Sequence, residues 1–194
     1  MATLELILVR HAQSEWNAAG RWQGHADPPL SPEGLAQAEA LAETLPAHGI
    51  SRLIASDLQR ARQTAAPWAD RLGCRVELAP ALRELDVGRW AGLTREEIER
   101  SEPELLREFE SGDPTVRPGG GETRAELRAR VRAFVSALAG EPRVRDETIG
   151  IVAHLGVLRG LVPGCTPANG EAIRIGARAA LALRARELPS ELSH

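Results

Sequence analysis

The chain has 194 residues, of which 43% are hydrophobic, and its formal net charge is −3. This length and balance are typical of one compact soluble domain, so we expect a single domain over residues 1–194. The slightly acidic total argues against a protein that binds nucleic acid.

The basic residues are unusual because all 24 of them are arginines. The absence of lysine excludes a Walker A nucleotide-binding lysine and a Schiff-base amine. Any anionic ligand must therefore rely on arginine, whose planar guanidinium binds oxyanions through two parallel hydrogen bonds. Arginines are dense over residues 124–132 and 174–186, but in the first stretch they alternate with apolar residues at helical spacing. This pattern predicts a solvated helix face.

Membrane and metal sites are not expected from the sequence. No run of about 18 apolar residues is present, and the residues after the first apolar segment are polar, so we expect no membrane span, no signal peptide and a cytoplasmic location. Cys74 and Cys165 form no CxxC pair, and the histidines show no HExxH spacing. Structural zinc and a disulfide framework are therefore not expected.

The first half of the chain alternates strand and helix patterns. Residues 4–9 form a nearly continuous apolar run, typical of a strand buried on both faces of a parallel sheet. Ser31 and Pro32 predict the N-cap and first turn of a helix that reaches about residue 45. A second strand is predicted over residues 52–55, and Ser56 is the predicted N-cap of the next helix.

The second half continues this alternation. Thr94 and Glu97 predict a capping box for a helix that reaches about residue 109, and a glycine-rich loop precedes a helix over 123–139. A buried strand is predicted over 148–153 and a last strand within 180–184. The order of elements predicts an α/β fold with three layers, in which helices cover both faces of a mostly parallel central sheet.

Polar residues follow three of the predicted strands. Arg10 and His11 end the first strand, Ser56 follows the second, and His154 follows the strand over 148–153. Because ligands bind beyond the carboxyl ends of parallel strands, these residues are expected to share one edge of the sheet. A histidine in such a position is more often structural than nucleophilic, so the residues around it are needed to assign its role.

Four ordered segments resemble the signatures of the histidine phosphatase superfamily, whose members are phosphoglycerate mutase-like. Residues 8–17 read LVRHAQSEWN against the family pattern L-[VT]-R-H-G-[QE]-[ST]-x-W-N, and residues 21–34 contain the downstream Q-G and P-L-S-x-x-G. The other segments are SDLQRARQT at 56–64, LRELDVGRWAG at 82–92 and IVAHLGVLR at 151–159. Together they span residues 4–159 and resemble most closely the branch of small bacterial-type phosphatases.

The resemblance implies a metal-independent phosphomonoester hydrolase. His11 would attack phosphorus and form a phosphohistidine, and His154 would bind the charge that develops on the phosphoryl oxygens. Glu84 holds the acid position, where it would protonate the leaving group and then activate water. The R-E-L-x-x-G-x-W-x-G frame favours Glu84 over Asp86 for this role. The residues expected to bind phosphate are Arg10, Asn17, Gln23 and Arg60.

The resemblance also sets expectations for ligands and assembly. It implies a small phosphorylated metabolite as the substrate, with no cofactor, metal, nucleic acid or membrane involved. Dimers are common among similar proteins, so the resemblance is compatible with a homodimer. The sequence does not identify the leaving group. The aromatic residues Trp16, Trp22 and Trp90 are interpreted as packing groups, and Arg21, Arg83 and Arg89 are left unassigned.

Two residues depart from the family pattern. Ala12 and Leu155 stand where glycine usually follows the first and second histidine. Glycine permits a close backbone approach and positive φ, so these side chains would tighten the pocket or strain the loop if either position needs that freedom. Both residues keep the backbone N–H that could bind phosphate.

Two alternatives remain open at this point. The first is a cofactor-dependent phosphoglycerate mutase, but mutases carry F-[TS]-G-W where this chain has WQGH at 22–25 and a longer insertion than the 69 residues between Glu84 and His154. The second is a phosphate-binding module without catalysis, which Ala12 and Leu155 make conceivable. The motif and the short insertion favour the hydrolase over the mutase, and the intact charged and nucleophilic positions favour it over the module.

Overall fold

The computed structural model describes residues 4–141 and 147–183. Its centre is a five-stranded sheet of order β3-β2-β4-β1-β5, in which β1 to β4 run parallel and β5 runs antiparallel to β1. The mostly parallel sheet confirms the predicted fold class. The strands are β1 (Glu5–Arg10), β2 (Ile50–Ala55), β3 (Val76–Leu78), β4 (Thr148–Ala153) and β5 (Ala172–Gly176).

Helices cover both faces of the sheet. In β1, Leu6 and Leu8 pack into one buried core with residues of α6 and α7, while Ile7 and Val9 pack into a second core with residues of α2 and α3. Alternate residues of a strand point to opposite faces, so one apolar strand supplies both cores. The helices are α1 (Glu15–Ala18), α2 (Pro32–Thr44), α3 (Gln59–Leu72), α4 (Arg95–Ser101), α5 (Pro103–Glu110), α6 (Arg124–Gly140), α7 (Leu155–Leu161) and α8 (Ala177–Ala182).

Two helix boundaries differ from the prediction. The predicted helix that starts after Thr94 is divided into α4 and α5, because Pro103 cannot continue the helical hydrogen bonding and holds Glu102 at a non-helical φ of −141°. The predicted N-cap Ser56 is also wrong. α3 begins after Leu58, and the Ser56 hydroxyl instead accepts the Leu58 N–H at 3.3 Å.

The predicted last strand is also wrong over the described residues. Residues 177–182 form α8, and Arg184 lies outside the described part of the chain. The run ARAALA consists of good helix formers, which explains this difference. The strand lies earlier, at β5, where Ile173 and Ile175 alternate with Ala172 and Arg174. The short edge strand β3 was not predicted.

None of the helices between residues 4 and 183 that the structure describes is long and apolar enough to cross a bilayer.

Candidate active site

A cavity of about 500 Å³ opens at the edge where the parallel strands end. His11 follows β1 and His154 follows the neighbouring β4, and their ring centroids are 5.0 Å apart. The predicted shared edge is confirmed for Arg10, His11 and His154, but Ser56 does not line the cavity. The residues that line it are Arg10, His11, Asn17, Arg21, Trp22, Gln23, Gly24, Arg60, Glu84, Leu85, Val87, Phe109, Arg124, Leu127, Arg128, Leu155, Gly156, Arg159 and Gly160.

His11 is held in one tautomer by the backbone. Its Nδ1 lies 2.7 Å from the carbonyl oxygen of Ala12, so Nδ1–H donates and Nε2 carries the free lone pair. Burial, reinforced by the positive charge of Arg60, lowers the pKa of His11 to about 3. At neutral pH the imidazole is therefore uncharged, which is the form that can act as a nucleophile.

Arg60 and Arg10 are fixed by carbonyl oxygens. Arg60 is fully buried on α3 and donates to Ala26 O at 2.8 Å and to Gly24 O at 2.9 Å. Burial lowers its pKa only to about 10, so the guanidinium remains charged at neutral pH. Arg10 donates to Pro167 O at 2.8 Å. Both side chains are held rigidly, with positive charge beside His11.

Unpaired nitrogen atoms concentrate at this point. Within residues 4–141 and 147–183, the buried side-chain polar atoms without a hydrogen-bond partner are Arg10 Nε, Arg60 Nε and both ring nitrogens of His154. Leaving such groups unpaired costs free energy, about 1–3 kcal/mol for each. Burial, followed by the charge of Arg60, lowers the pKa of His154 well below its usual value, so its ring is neutral and supplies one N–H donor. The arrangement suits an oxyanion.

Asn17 and Gln23 share a partner that the sequence reasoning missed. The buried hydroxyl of Ser14 lies 3.0 Å from Asn17 Oδ1 and 2.8 Å from Gln23 Oε1, and Ser14 N also donates to Asn17 Oδ1. Because both amide oxygens accept hydrogen bonds, the NH2 ends are the parts that can donate to an anion. Ser14 also caps α1, and this capping position was the available signal for its role.

The Glu84 carboxylate lies at the N-terminus of α7. It accepts the backbone N–H of Leu85 at 2.8 Å and that of Gly156 at 3.1 Å. An added Cβ at Gly156 would lie 2.2 Å from Glu84 Oε1, so this approach needs glycine. Asp86 instead accepts the Gly88 N–H in a turn and does not line the cavity. The structure therefore brings Glu84, not Asp86, to the site.

Both departures from the family pattern are accommodated. Ala12 is fully buried and packs with Leu30 and Ala38, while its backbone N–H donates to Thr64 Oγ1 at 3.0 Å. Leu155 is the first residue of α7, where the helical backbone suits a side chain, and it lines the cavity. The helical backbone at Leu155 does not require glycine, and the Ala12 side chain is accommodated in the core.

The sequence reasoning missed several cavity residues. Arg124 and Arg128 on α6 line the cavity, so the prediction of a solvated helix face is wrong for these two arginines. Their spacing of four residues, which places them on one helix face, was the signal available. Trp22, interpreted as a packing group, also lines the cavity, whereas Trp90 is buried as predicted. The remaining cavity residues left unassigned include Arg21, Phe109 and Arg159.

Comparison with known proteins places this geometry in a family. The model of the histidine phosphatase superfamily (branch 1) matches residues 6–183. Glucosyl-3-phosphoglycerate phosphatase of Mycobacterium tuberculosis is 36% identical over 167 residues, which cover 83% of this chain and 74% of that protein. A probable phosphoglycerate mutase GpmB of Photorhabdus laumondii is 37% identical over 171 residues, which cover 87% of this chain and 78% of that protein.

A solved structure agrees with these relatives. The mycobacterial glucosyl-3-phosphoglycerate phosphatase in complex with VO3 has a TM-score of 0.74 and 37% identity, with 81% of this chain and 79% of that chain covered. The family model covers most of the chain, and the shared fold carries His11 and His154 on neighbouring strands. The chain therefore belongs to branch 1 of the histidine phosphatase superfamily.

Proposed function

We propose that this protein hydrolyses phosphomonoesters through a phosphohistidine formed on His11, in the cytoplasm, with a small phosphorylated metabolite as substrate. The observation that carries this proposal is the buried, neutral His11 beside four unpaired nitrogen atoms of Arg10, Arg60 and His154. A phosphoryl group would accept hydrogen bonds from both guanidinium groups and from the one N–H of the neutral His154 ring, with phosphorus within reach of His11 Nε2. The relatives named as phosphatases support the same reaction class.

In the first step His11 Nε2 attacks phosphorus in line with the leaving oxygen. The P–O bond to that oxygen breaks, and the Glu84 carboxylic acid transfers its proton to the departing alkoxide. Arg10, Arg60 and His154 bind the non-bridging oxygens, where charge accumulates. Asn17 and Gln23 contribute neutral N–H donors to the same oxygens.

In the second step a water molecule hydrolyses the phosphohistidine. Glu84, now a carboxylate, takes a proton from the water as its oxygen attacks phosphorus, and the N–P bond to His11 breaks. The Ala12 carbonyl supports both steps, because it binds Nδ1–H and stabilises the positive charge on the phosphorylated ring. His11 leaves as a neutral imidazole, ready for another cycle.

The proposal assigns every step to side chains and none to a metal or cofactor. Among the residues whose placement is described, no group of three or more histidine, cysteine or carboxylate side chains could hold a metal ion. The guanidinium groups of Arg10 and Arg60 supply the positive charge that a metal often supplies in phosphoryl transfer, and the neutral His154 ring adds an N–H donor.

The second candidate is phosphoryl transfer back to a substrate, as the similarity to a probable phosphoglycerate mutase suggests. The two reactions share the first step and differ only in what attacks the phosphohistidine. An exchange assay primed with bisphosphoglycerate separates them, since a mutase interconverts the phosphoglycerate isomers faster than it releases inorganic phosphate.

The experiment that tests the proposal is hydrolysis of p-nitrophenyl phosphate in EDTA from pH 5 to 8. We expect the wild type to turn over in chelator and His11→Ala to lose activity by several orders of magnitude. The matched control is His48→Ala, which removes an exposed histidine that does not line the cavity and should keep full activity. A fully active, folded His11→Ala variant would overturn the proposal.

A further inference from the structure

Three arginines line the cavity without a part in the steps above. Arg124 and Arg128 project from α6 and Arg159 from α7. The other arginines of the cavity wall have assigned partners, because Arg10 and Arg60 serve the phosphoryl group and Arg21 pairs with Glu97 at 3.1 Å.

These three arginines have no acidic partner among the described residues. Neutral groups hold two of them in place. Arg124 donates to Phe109 O at 2.7 Å and its guanidinium carbon lies 3.7 Å from the centre of the Phe109 ring, while Arg159 donates to Cys165 O at 3.0 Å. Arg124 and Arg159 are therefore held in place, and none of the three guanidinium charges is neutralised by an ion pair within the described residues.

The positive charges of the cavity interact unfavourably with one another. Burial is the main cause that lowers the pKa of Arg124, and the charge of Arg159 lowers it further. The same Arg159 charge also contributes to the lowered pKa of Arg10, for which burial is again the larger cause. The charge of Arg159 thus repels both Arg10 of the phosphoryl site and Arg124. A bound anion would relieve this repulsion.

The position of Glu84 shows which side of the cavity these arginines occupy. Glu84 is the group that protonates the leaving oxygen, and it binds the Gly156 N–H of α7. Gly156, Arg159 and Gly160 all line the cavity, so they share one face of that helix. Arg159 therefore lies about one turn beyond the acid, on the side where the leaving group extends.

We propose that Arg124, Arg128 and Arg159 form a second oxyanion site, which binds an anionic group carried by the leaving group of the substrate. The proposal rests on the proposed function, since it places this group relative to a phosphoryl group on His11. The substrate class is a phosphomonoester whose leaving group bears a carboxylate or a second phosphate. Guanidinium groups bind either oxyanion through the same bidentate geometry.

The test compares ligands that differ only in the second anionic group. Calorimetry with folded His11→Ala protein measures binding without turnover. 3-Phosphoglycerate is compared with sn-glycerol 1-phosphate, which has the same configuration at C2, and glucose 1,6-bisphosphate with glucose 6-phosphate. We expect at least one of the two ligands that carry a second anionic group to bind about tenfold or more tightly than the matched ligand without it, as one charge-assisted contact implies. Tighter binding of 3-phosphoglycerate would identify a carboxylate as the second anionic group, and tighter binding of glucose 1,6-bisphosphate would identify a phosphate.

The variant that tests the residues is Arg128→Gln/Arg159→Gln in the same His11→Ala background. We expect the preference to fall toward unity, while the control Arg62→Gln/Arg71→Gln, which removes two exposed arginines of α3, keeps it. If the double variant does not fold, Arg128→Gln alone carries the test, because it removes no hydrogen bond within the described residues.

Equal affinities within both ligand pairs, or a preference that survives the loss of these arginines, would overturn the second oxyanion site. Failure of the proposed function would show itself differently, as absence of p-nitrophenyl phosphate hydrolysis by the wild type. The binding comparison does not depend on that activity, so the two failures are distinguishable.

Discussion

At the scale of single residues, Glu84 is placed by two backbone amides rather than by a charged side chain. We predict that Glu84→Gln lowers kcat by about 10²–10⁴-fold, as the loss of a general acid–base implies. An aryl leaving group needs little protonation, so the variant should still form phosphohistidine from p-nitrophenyl phosphate and then accumulate it. Rapid-quench measurement of the phosphoenzyme checks this. The control is Asp86→Asn, and a Glu84→Gln variant with wild-type turnover would contradict the assignment.

Gly156 positions that carboxylate. Because an added Cβ would meet Glu84 Oε1 at 2.2 Å, we predict that Gly156→Ala displaces the movable end of Glu84. The result should be a lower kcat with little change in KM or in the free energy of unfolding, as kinetics and urea denaturation would show. The control Gly160→Ala lies on the same helix with its nearest neighbour 3.7 Å away, and should have a smaller effect. Equal kcat for the two variants would argue against this role.

The predictable part of the site follows from local signals. Arg10, His11 and His154 end apolar strands, and motif spacing alone locates Arg60 and Glu84. The contact between Glu84 and Gly156 joins residues far apart in the chain. Arg128 and Arg159 line one cavity only because α6 and α7 pack together. Such convergence depends on helix packing, which short-range patterns do not specify.

At the scale of elements, α6 depends on its capping box. The Thr123 hydroxyl accepts the Glu126 N–H at 3.1 Å, and Glu126 accepts the Thr123 N–H at 2.9 Å. We predict that Thr123→Ala lowers the free energy of unfolding by about 1 kcal/mol, measured by urea denaturation. The control Thr115→Ala, in an exposed loop, should change it by less than about 0.5 kcal/mol. No difference between these variants would mean that the cap contributes little.

Element boundaries show where sequence patterns are least informative. The capping box at Thr94 was predicted because it joins residues three positions apart, whereas the equally local box of Thr123 and Glu126 was not predicted. The last strand was misplaced because residues 180–183 form a short apolar run, and such a run is compatible with a strand or a helix. The five residues of β5 pair with β1 only through a long-range antiparallel contact.

At the scale of the whole molecule, two buried neutral histidines make stability depend on pH. The folded protein lowers the pKa of His11 and His154, whereas the unfolded chain has ordinary values near 6.5. Below pH 6.5 the unfolded state therefore binds more protons than the folded state. As the pH is lowered further, the free energy of unfolding decreases, with a limiting slope of about 1.4 kcal/mol per pH unit for each histidine. Urea denaturation from pH 7 to 5 in phosphate-free buffer checks this, before carboxylates titrate.

The variant His11→Asn should reduce this pH dependence, because it removes one of the two depressed groups. The exposed His48→Asn serves as the control and should leave the slope unchanged. A wild-type stability that stays constant between pH 7 and 5 would show that these histidines are not held neutral by the fold.

A covalent phosphoryl group on His11 can be detected by alkaline quenching followed by mass spectrometry. Glu84→Gln protein mixed with p-nitrophenyl phosphate should gain the mass of one phosphoryl group, mapped to the peptide that contains His11 and absent from His11→Ala. A phosphoryl group on another residue, or hydrolysis by the wild type with no trapped phosphohistidine in the variant, would show that His11 is not the nucleophile.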